Sequence, residues 1–219
     1  MQILVVDIGG THVKLLASGR KTVIKIPSTP TLAPRVMMPQ VLEATREWHY
    51  SAVSIGYPGV VRHGKPAGEP PNLGNGWVGY DFRRAFGCPV VVINDAAMQA
   101  VGSYEGGRML FLGLGTGLGS ALIGDGIIWP TELAHLPYRH GHSYEHYVGA
   151  AGLKRLGKKR WRRHVANVIT RLTAALVVDD VVVGGGNAEH LTLPDGVRLG
   201  SNANAFTGGY RLWQKRWHV

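Results

Sequence analysis

The chain has 219 residues, 45% hydrophobic and 17% charged, with a formal net charge of +10 and a single cysteine, Cys88. That length suffices for one large domain or two small ones, each with its own core, and the lone cysteine excludes a disulfide framework and a thiolate-rich zinc site. No stretch of about 18 apolar residues occurs and the first residues show no basic leader, so a cytoplasmic location is expected, with no membrane partner. The charge excess calls for a polyanionic partner, unless the protein is simply basic throughout.

Residues 2–7 (QILVVD) and 11–17 (THVKLLA) are apolar runs separated by Ile8-Gly9-Gly10, the pattern of a hairpin with a glycine turn. Apolar spacing over 36–50 predicts a helix, and 52–55 a strand ended by Gly56-Tyr57-Pro58-Gly59. Residues 62–79, rich in Gly, Pro and Asn, read as a loop or loose hairpins. A buried strand over 90–93 leads into a helix from Asn94-Asp95 to about Ser103. The opening pattern then recurs, with an apolar run at 109–114, the turn Gly115-Thr116-Gly117-Leu118-Gly119, and a strand over 120–123. A helix is expected over 164–176, a strand over 181–183 entering Gly184-Gly185-Gly186-Asn187, and a last helix over 203–213. Alternation of strands and helices makes this an α/β chain, and the two hairpins suggest two similar halves, 1–93 and 94–219, facing a cleft.

The 31 glycines exceed the usual roughly 7%. A glycine turn between strands can present several backbone N–H groups on one concave surface, which suits phosphate oxygens; it can equally be a tight hairpin and nothing more. Asp7 at the mouth of the first turn would repel a phosphate unless a cation lies between, which suggests Mg²⁺ held through water. Thr11 can donate a hydroxyl there, and Lys14 can add charge. No Walker string GxxxxGK[ST] is present, and the glycines at 115–119 lead into a strand rather than a helix, against a dinucleotide fingerprint.

Asp95 follows a buried strand at a helix start. It is either an N-cap or a general base at the carboxyl end of a strand, where phosphoryl transfer to an alcohol needs a proton acceptor. Asn94 can bond a neighbouring hydroxyl. Glu132 and His135, at i and i+3, with Glu145 further on, suit a polyhydroxylated ligand. His135, His140, His142 and His146 match no standard zinc-ligand spacing, so no zinc is expected.

Together these strings resemble the ROK family of sugar kinases and regulators, most closely its polyphosphate glucokinase branch. DIGGTHVK at 7–14 is similar to the family's first phosphate motif, IGYPGVV at 55–61 to its GFPGVV segment, and Asn94-Asp95-Ala96 to its catalytic N-D-A. GTGLGS at 115–120 resembles the second phosphate motif, 132–135 the E-L-G-H sugar segment, and Val182-Val183-Gly184-Gly185-Gly186 the late turn near the nucleotide base. The resemblance implies an actin-like ATPase (ribonuclease H-like) duplicated fold of two lobes with an interdomain cleft. It implies Asp95 as base, with Asn75, Asn94, Glu132, His135 and Glu145 contacting a hexose. Asp7, Gly9, Gly10, Thr11, Lys14, Gly115, Thr116, Gly117, Gly119, Gly184, Gly185 and Gly186 would hold the phosphates or nucleotide, with Mg²⁺ at Asp7. A homodimer is the expected assembly. The chain departs from the pattern in lacking the family's cysteine-rich zinc motif, in having Ala134 where glycine precedes the histidine, and in being short.

Residues 154–163 hold seven Lys/Arg in ten positions. Such a run can be a solvated face, but the polyphosphate branch carries a similar KKW-containing stretch, and a linear polyanion binds through many phosphate contacts. Lys158, Lys159, Arg160, Arg162 and Arg163 are therefore expected to bind inorganic polyphosphate, used as donor with or instead of ATP. An ATP-only hexokinase is the first alternative. The second is a non-catalytic regulator, although such members carry an N-terminal helix-turn-helix and here the kinase hairpin opens at residue 2. No RNP, KH or zinc-finger pattern points to specific nucleic-acid binding.

Overall fold

The computed structural model describes residues 1–214, 217 and 218. β1 (Ile3–Ile8) is buried along its whole length, as befits a central strand covered on both faces. It pairs antiparallel with β2 (His12–Ala17), whose alternating exposure marks a strand with one wet face, and β2 pairs with β3 (Ile24–Pro27). After α1 (Pro34–Ala44), β4 (Ala52–Tyr57) lies parallel to β1. The two-residue strands β5 (Val61–Arg62) and β6 (Lys65–Pro66) form a small hairpin. Next come α2 (Phe82–Phe86), then β7 (Val90–Asn94) parallel to β4, then α3 (Asp95–Ser103). The sheet order is β3-β2-β1-β4-β7.

The second half repeats this plan. β8 (Met109–Leu114), β9 (Leu118–Gly124) and β10 (Ile127–Thr131) form an antiparallel meander. A short hairpin of β11 (Pro137–Arg139) and β12 (His142–Ser143) leads into α4 (Tyr144–Val148) and the long α5 (Ala150–Leu176). β13 (Asp180–Gly184) then runs parallel to β8, and β14 (Val197–Leu199) parallel to β13, in the order β10-β9-β8-β13-β14. Each sheet is thus an antiparallel meander followed by two parallel crossover strands. The suspected duplication holds at the level of topology.

α3 and the final helix α6 (Asn204–Arg211) cross at close quarters against both sheets. The approach requires glycine, since a Cβ on Gly102 would stand 1.9 Å from the Asn204 carbonyl oxygen and one on Gly208 1.8 Å from that of Met98. Arg211 Nη1 donates to the carbonyls of Val101, Gly102 and Tyr104, satisfying acceptors that the end of α3 leaves free. The C-terminal segment also bonds the first sheet, through Tyr210 to the Leu16 carbonyl and through Trp213 to Ser54. α3, which carries Asp95 at its start, is therefore clamped along its length.

The first helix ends at Ala44 rather than near residue 50. Thr45 terminates it, its backbone N–H and hydroxyl both bonding the Val41 carbonyl, and Trp48 N–H then closes a turn onto Thr45. α5 starts well before residue 164, so the basic run is helical, with a break at Gly157 (φ 72°). Trp161 anchors this helix; it is fully buried and its indole donates to the Val148 carbonyl at 2.8 Å. Among the described residues no helix is long and apolar enough to cross a membrane.

Candidate active site

The β1–β4 register pairs Asp7 with Gly56, and the β4–β7 register pairs Tyr57 with Asn94. The carboxyl ends of three parallel strands therefore deliver Asp7, residues 56–57 and Asn94-Asp95 to one edge of the sheet, where α/β clefts open. Asn94 is the N-cap of α3: its Oδ1 accepts from Ala97 N–H at 3.1 Å, and its Nδ2 donates to the Gly59 carbonyl at 3.2 Å. Asp95 occupies the first helical position, where its Oδ1 accepts from Ala96 N–H at 2.8 Å. The capping role thus falls to Asn94, and one Asp95 carboxylate oxygen has no partner among the described residues.

Asp95 is pushed up to about 7, first because its half-buried site strips water from the charged form, then by the negative charges of Asp7 and Glu132. The Ala96 N–H opposes the shift. Glu132 is likewise raised, by burial and by Glu145, against the pull of His135; the His135 Nε2 lies 3.7 Å from its carboxylate. The fold therefore brings Asp7, Asp95, Glu132, His135 and Glu145 into one electrostatic neighbourhood. A carboxyl near neutrality and beside another carboxylate is the arrangement a general base needs. Asp7 itself is buried and pairs with Lys14 Nζ at 3.2 Å across the first hairpin.

The two glycine turns are built differently. In the first, Gly9 N–H bonds the His12 carbonyl, and Asn72 from the 62–79 loop rests against Gly10. In the second, Gly115 N–H bonds the Gly117 carbonyl, and neighbouring elements brace the tip. Glu145 Oε2 accepts from Leu118 N–H at 3.2 Å, Ala150 N–H bonds the Thr116 carbonyl, and Asn187 holds the carbonyls of Leu114 and Gly115. The N–H groups of Gly10, Thr11, Thr116 and Gly117 have no backbone partner among the described residues, which leaves donors for an anion. Gly119 faces the start of α3, where an added Cβ would stand 2.8 Å from Ala96 Cβ. The second turn and Asp95 are therefore in direct register.

Gly184 ends β13 and Gly185, the next residue, backs onto this turn, where an added Cβ would lie 2.5 Å from the Leu114 carbonyl oxygen; one on Gly186 would meet open space. Ser120 and Thr131 position Glu132: the Ser120 hydroxyl donates to the Thr131 carbonyl and accepts from Leu133 N–H. Ala134 is buried and His135 is exposed on the following 3₁₀ turn. Asn75 is exposed in a loop pinned by Glu69, whose carboxylate takes the N–H groups of Trp77 and Val78. Sequence reasoning passed over Asn187 and Asn72, whose bracing contacts are tertiary; the position of Asn187 directly after a glycine triplet was the available clue.

The basic run divides. Arg162 Nε is tied to the His190 carbonyl and Trp161 is core, whereas Lys158, Lys159, Arg160 and Arg163 are exposed and form no ion pair among the described residues.

The ROK family model matches residues 3–135, more than half of the chain and the stretch that holds both glycine turns, Asp95, Glu132 and His135. The chain belongs to the ROK family. A polyphosphate glucokinase from Mycobacterium tuberculosis is 27% identical over 205 residues, 83% of this ROK chain and 76% of that protein. The crystal structure of an inorganic polyphosphate/ATP-glucomannokinase from Arthrobacter sp. strain KM is similar at a TM-score of 0.80 and 25% identity, over 94% of this chain and 96% of that one. A ROK family glucokinase from Streptomyces griseus, solved with glucose and AMPPNP, shares the fold at a TM-score of 0.80 and 18% identity, over 98% and 100% of the two chains. The expected actin-like fold is borne out, and these likenesses support sugar kinase activity for this ROK protein, with a sugar acceptor and a phosphoryl donor.

Proposed function

We propose that this protein transfers a phosphoryl group to the 6-hydroxyl of glucose, and of mannose as a second substrate, with inorganic polyphosphate, ATP or both as donor. The observation that carries the reading is Asp95, a carboxyl raised to about 7 at a helix start between two glycine turns. In the reaction the sugar oxygen attacks the terminal phosphorus in line, forming the new O–P bond as the bond to the donor chain breaks. Asp95 takes the hydroxyl proton. The departing product is ADP or a polyphosphate one unit shorter, held by the N–H groups of the two turns together with Thr11 and Lys14.

Asn75, Asn94, Glu132, His135 and Glu145 are assigned to the hexose. Asn94 retains one amide hydrogen and one lone pair beyond the bonds it makes, and Glu145 retains Oε1. Gly184, Gly185 and Gly186 line the donor side. Asp7 fits a Mg²⁺ role, being a buried hard-oxygen ligand at the phosphate turn with one Lys14 contact; Mg²⁺ commonly binds through one or two carboxylates plus phosphates. When bound it would offset charge on the donor phosphates. The lobes are taken to divide between Ile93 and Asn94, and closure between them would exclude water. A homodimer in the cytoplasm is the proposed setting.

The exposed Lys158, Lys159, Arg160 and Arg163, with Arg162 beside them, favour polyphosphate over ATP alone, because a linear polyanion gains from each added cation. The test is glucose 6-phosphate formation with Mg²⁺, comparing ATP and polyphosphate, with Asp95→Asn as the blank. Faster turnover with polyphosphate supports the reading. Turnover with ATP alone reduces it to an ATP-dependent hexokinase, and no product from either donor across a sugar panel replaces it with a sugar-binding regulator.

A further inference from the structure

One cationic cluster has no part in the site described above. It lies where the β11–β12 hairpin and α4 meet α5. The guanidinium groups of Arg139 and Arg171 stand over the Tyr138 ring at 5.2 and 5.7 Å, and that of Arg155 over the Tyr147 ring at 5.8 Å. The Tyr138 hydroxyl donates to Asn167 Oδ1 and lies 3.1 Å from His164 Nδ1; Arg171 Nε donates to the same Asn167 oxygen at 2.9 Å. Arg155 is fixed from below, donating through Nη2 to the His146 carbonyl at 2.6 Å. None of the three arginines has an ion-pair partner among the described residues.

The charges of Arg139 and Arg155 act on one ring, and Arg171 joins them through Tyr138 and Asn167. His164 is held below its usual range by burial and then by Arg139 and Arg155, and His146 by desolvation, Arg155 and His142. Uncompensated like charge is unfavourable, and an anion would relieve it. Stacking on tyrosine and the bonds to Asn167 and His146 pre-order the guanidinium forks, so that little side-chain freedom is lost when a phosphate is gripped.

We infer that Arg139, Arg155 and Arg171 form an anion subsite for the distal phosphates of a linear polyphosphate. The inference rests on the donor reading above and adds a further grip to the catalytic turns and the exposed cations of residues 158–163. α4 supplies the connection: Glu145 bonds Leu118 at the second turn, while the next residues, His146 and Tyr147, belong to the cluster. A bare phosphate chain suits the cluster better than nucleic acid does. Single strands bind such surfaces by stacking bases on free aromatic faces, whereas Tyr138 already carries two guanidinium groups and packs against Tyr144, Tyr147 and His164.

The experiment is equilibrium binding of labelled medium-chain polyphosphate to the full chain, to Arg139→Ala/Arg171→Ala, and to the charge-keeping Arg139→Lys/Arg171→Lys. Glucose affinity and thermal midpoint serve as controls on folding. The alanine pair should weaken binding about tenfold, as expected for two exposed charge contacts, with a shallower salt dependence and a raised KM for polyphosphate. The lysine pair should fall between, and a single-stranded oligonucleotide should displace polyphosphate poorly. Equal affinity of the alanine pair and the parent overturns the subsite while leaving polyphosphate turnover standing. Displacement by the oligonucleotide as effective as by unlabelled polyphosphate overturns it in favour of a nucleic-acid surface. Loss of glucose affinity in both variants assigns the arginines a structural role instead. A parent chain that neither binds nor uses polyphosphate overturns the subsite and the donor reading together.

Discussion

The two glycine hairpins occupy equivalent places in two sheets of the same topology, yet they are supported in different ways. The first carries the charge, with Asp7 and Lys14 facing each other across β1 and β2, and its tip is held from outside the hairpin by the Ser28 N–H on the Thr11 carbonyl, with Asn72 beside Gly10. The second is held from three sides, by Glu145 of α4, Ala150 at the start of α5, and Asn187 after β13. The topology is shared and the tertiary contacts differ. One hairpin places the charge of Asp7 near Asp95; the other packs against the start of α3, which carries Asp95.

The sharpest way to break that division is at Asp95. Replacing it with Asn removes the proposed proton acceptor and should cut turnover by roughly 10² or more while leaving glucose affinity nearly unchanged. Near-normal turnover removes Asp95 from the role. The parent's turnover should rise with pH through about 7 as the carboxylate forms, and the variant should lack that limb. Stability should move the opposite way. The folded pKa lies above the unfolded value near 3.8, so the native state binds the extra proton, and this stabilising contribution is present at pH 4 and lost as pH rises through about 7. Thermal midpoints should therefore show Asp95→Asn gaining on the parent between pH 4 and 8. A constant difference over that range removes the raised pKa.

Next in size is Gly119→Val, which tests the positional half. Its Cβ would meet Ala96 Cβ at 2.8 Å, at the helix turn that carries Asp95. Overpacking of this kind costs about 1–3 kcal/mol, and even a small displacement of a reacting group slows turnover about tenfold or more. Gly10→Ala is the matching probe of the first turn, where the added Cβ finds only Asn72 Cβ at 3.8 Å. Urea midpoints should fall clearly for the former and little for the latter. The reverse order would mean that the first turn is the rigid one.

How legible this was in the sequence depends on the range of each signal. The hairpin at Gly9-Gly10, the strand-to-helix passage at Asn94-Asp95 and the turn at 115–119 carry local patterns, and all appear where spacing placed them. The third strands of the two meanders, β3 and β10, went unseen because they are short and partly exposed, so their pairing comes from neighbours and not from periodicity. Which of Asn94 and Asp95 caps α3 turns on a single bond to Ala97 that composition does not encode. The basic run looked uniform as a string; only packing separates core Trp161 and anchored Arg162 from the free lysines. The brace from Glu145 to Leu118 spans 27 residues and has no local signature.

That brace gives the smallest effect and the finest test, because Glu145 is assigned two tasks. One oxygen holds Leu118 N–H, and the other is proposed to meet the sugar. Glu145→Gln keeps an acceptor for the amide, whereas Glu145→Ala leaves the N–H unpaired at a partly buried site, at a cost of about 1–2 kcal/mol. If bracing is its main contribution, the alanine variant should lose stability and a few-fold in turnover, and the glutamine variant should recover both. If the carboxylate also grips the sugar, glutamine should restore stability yet leave the glucose KM raised, since a neutral amide is a weaker acceptor for a hydroxyl. Thermal midpoints and the split between kcat and KM separate the two tasks. Full recovery of every parameter in Glu145→Gln would confine Glu145 to the hairpin and leave hexose recognition to Asn75, Asn94, Glu132 and His135.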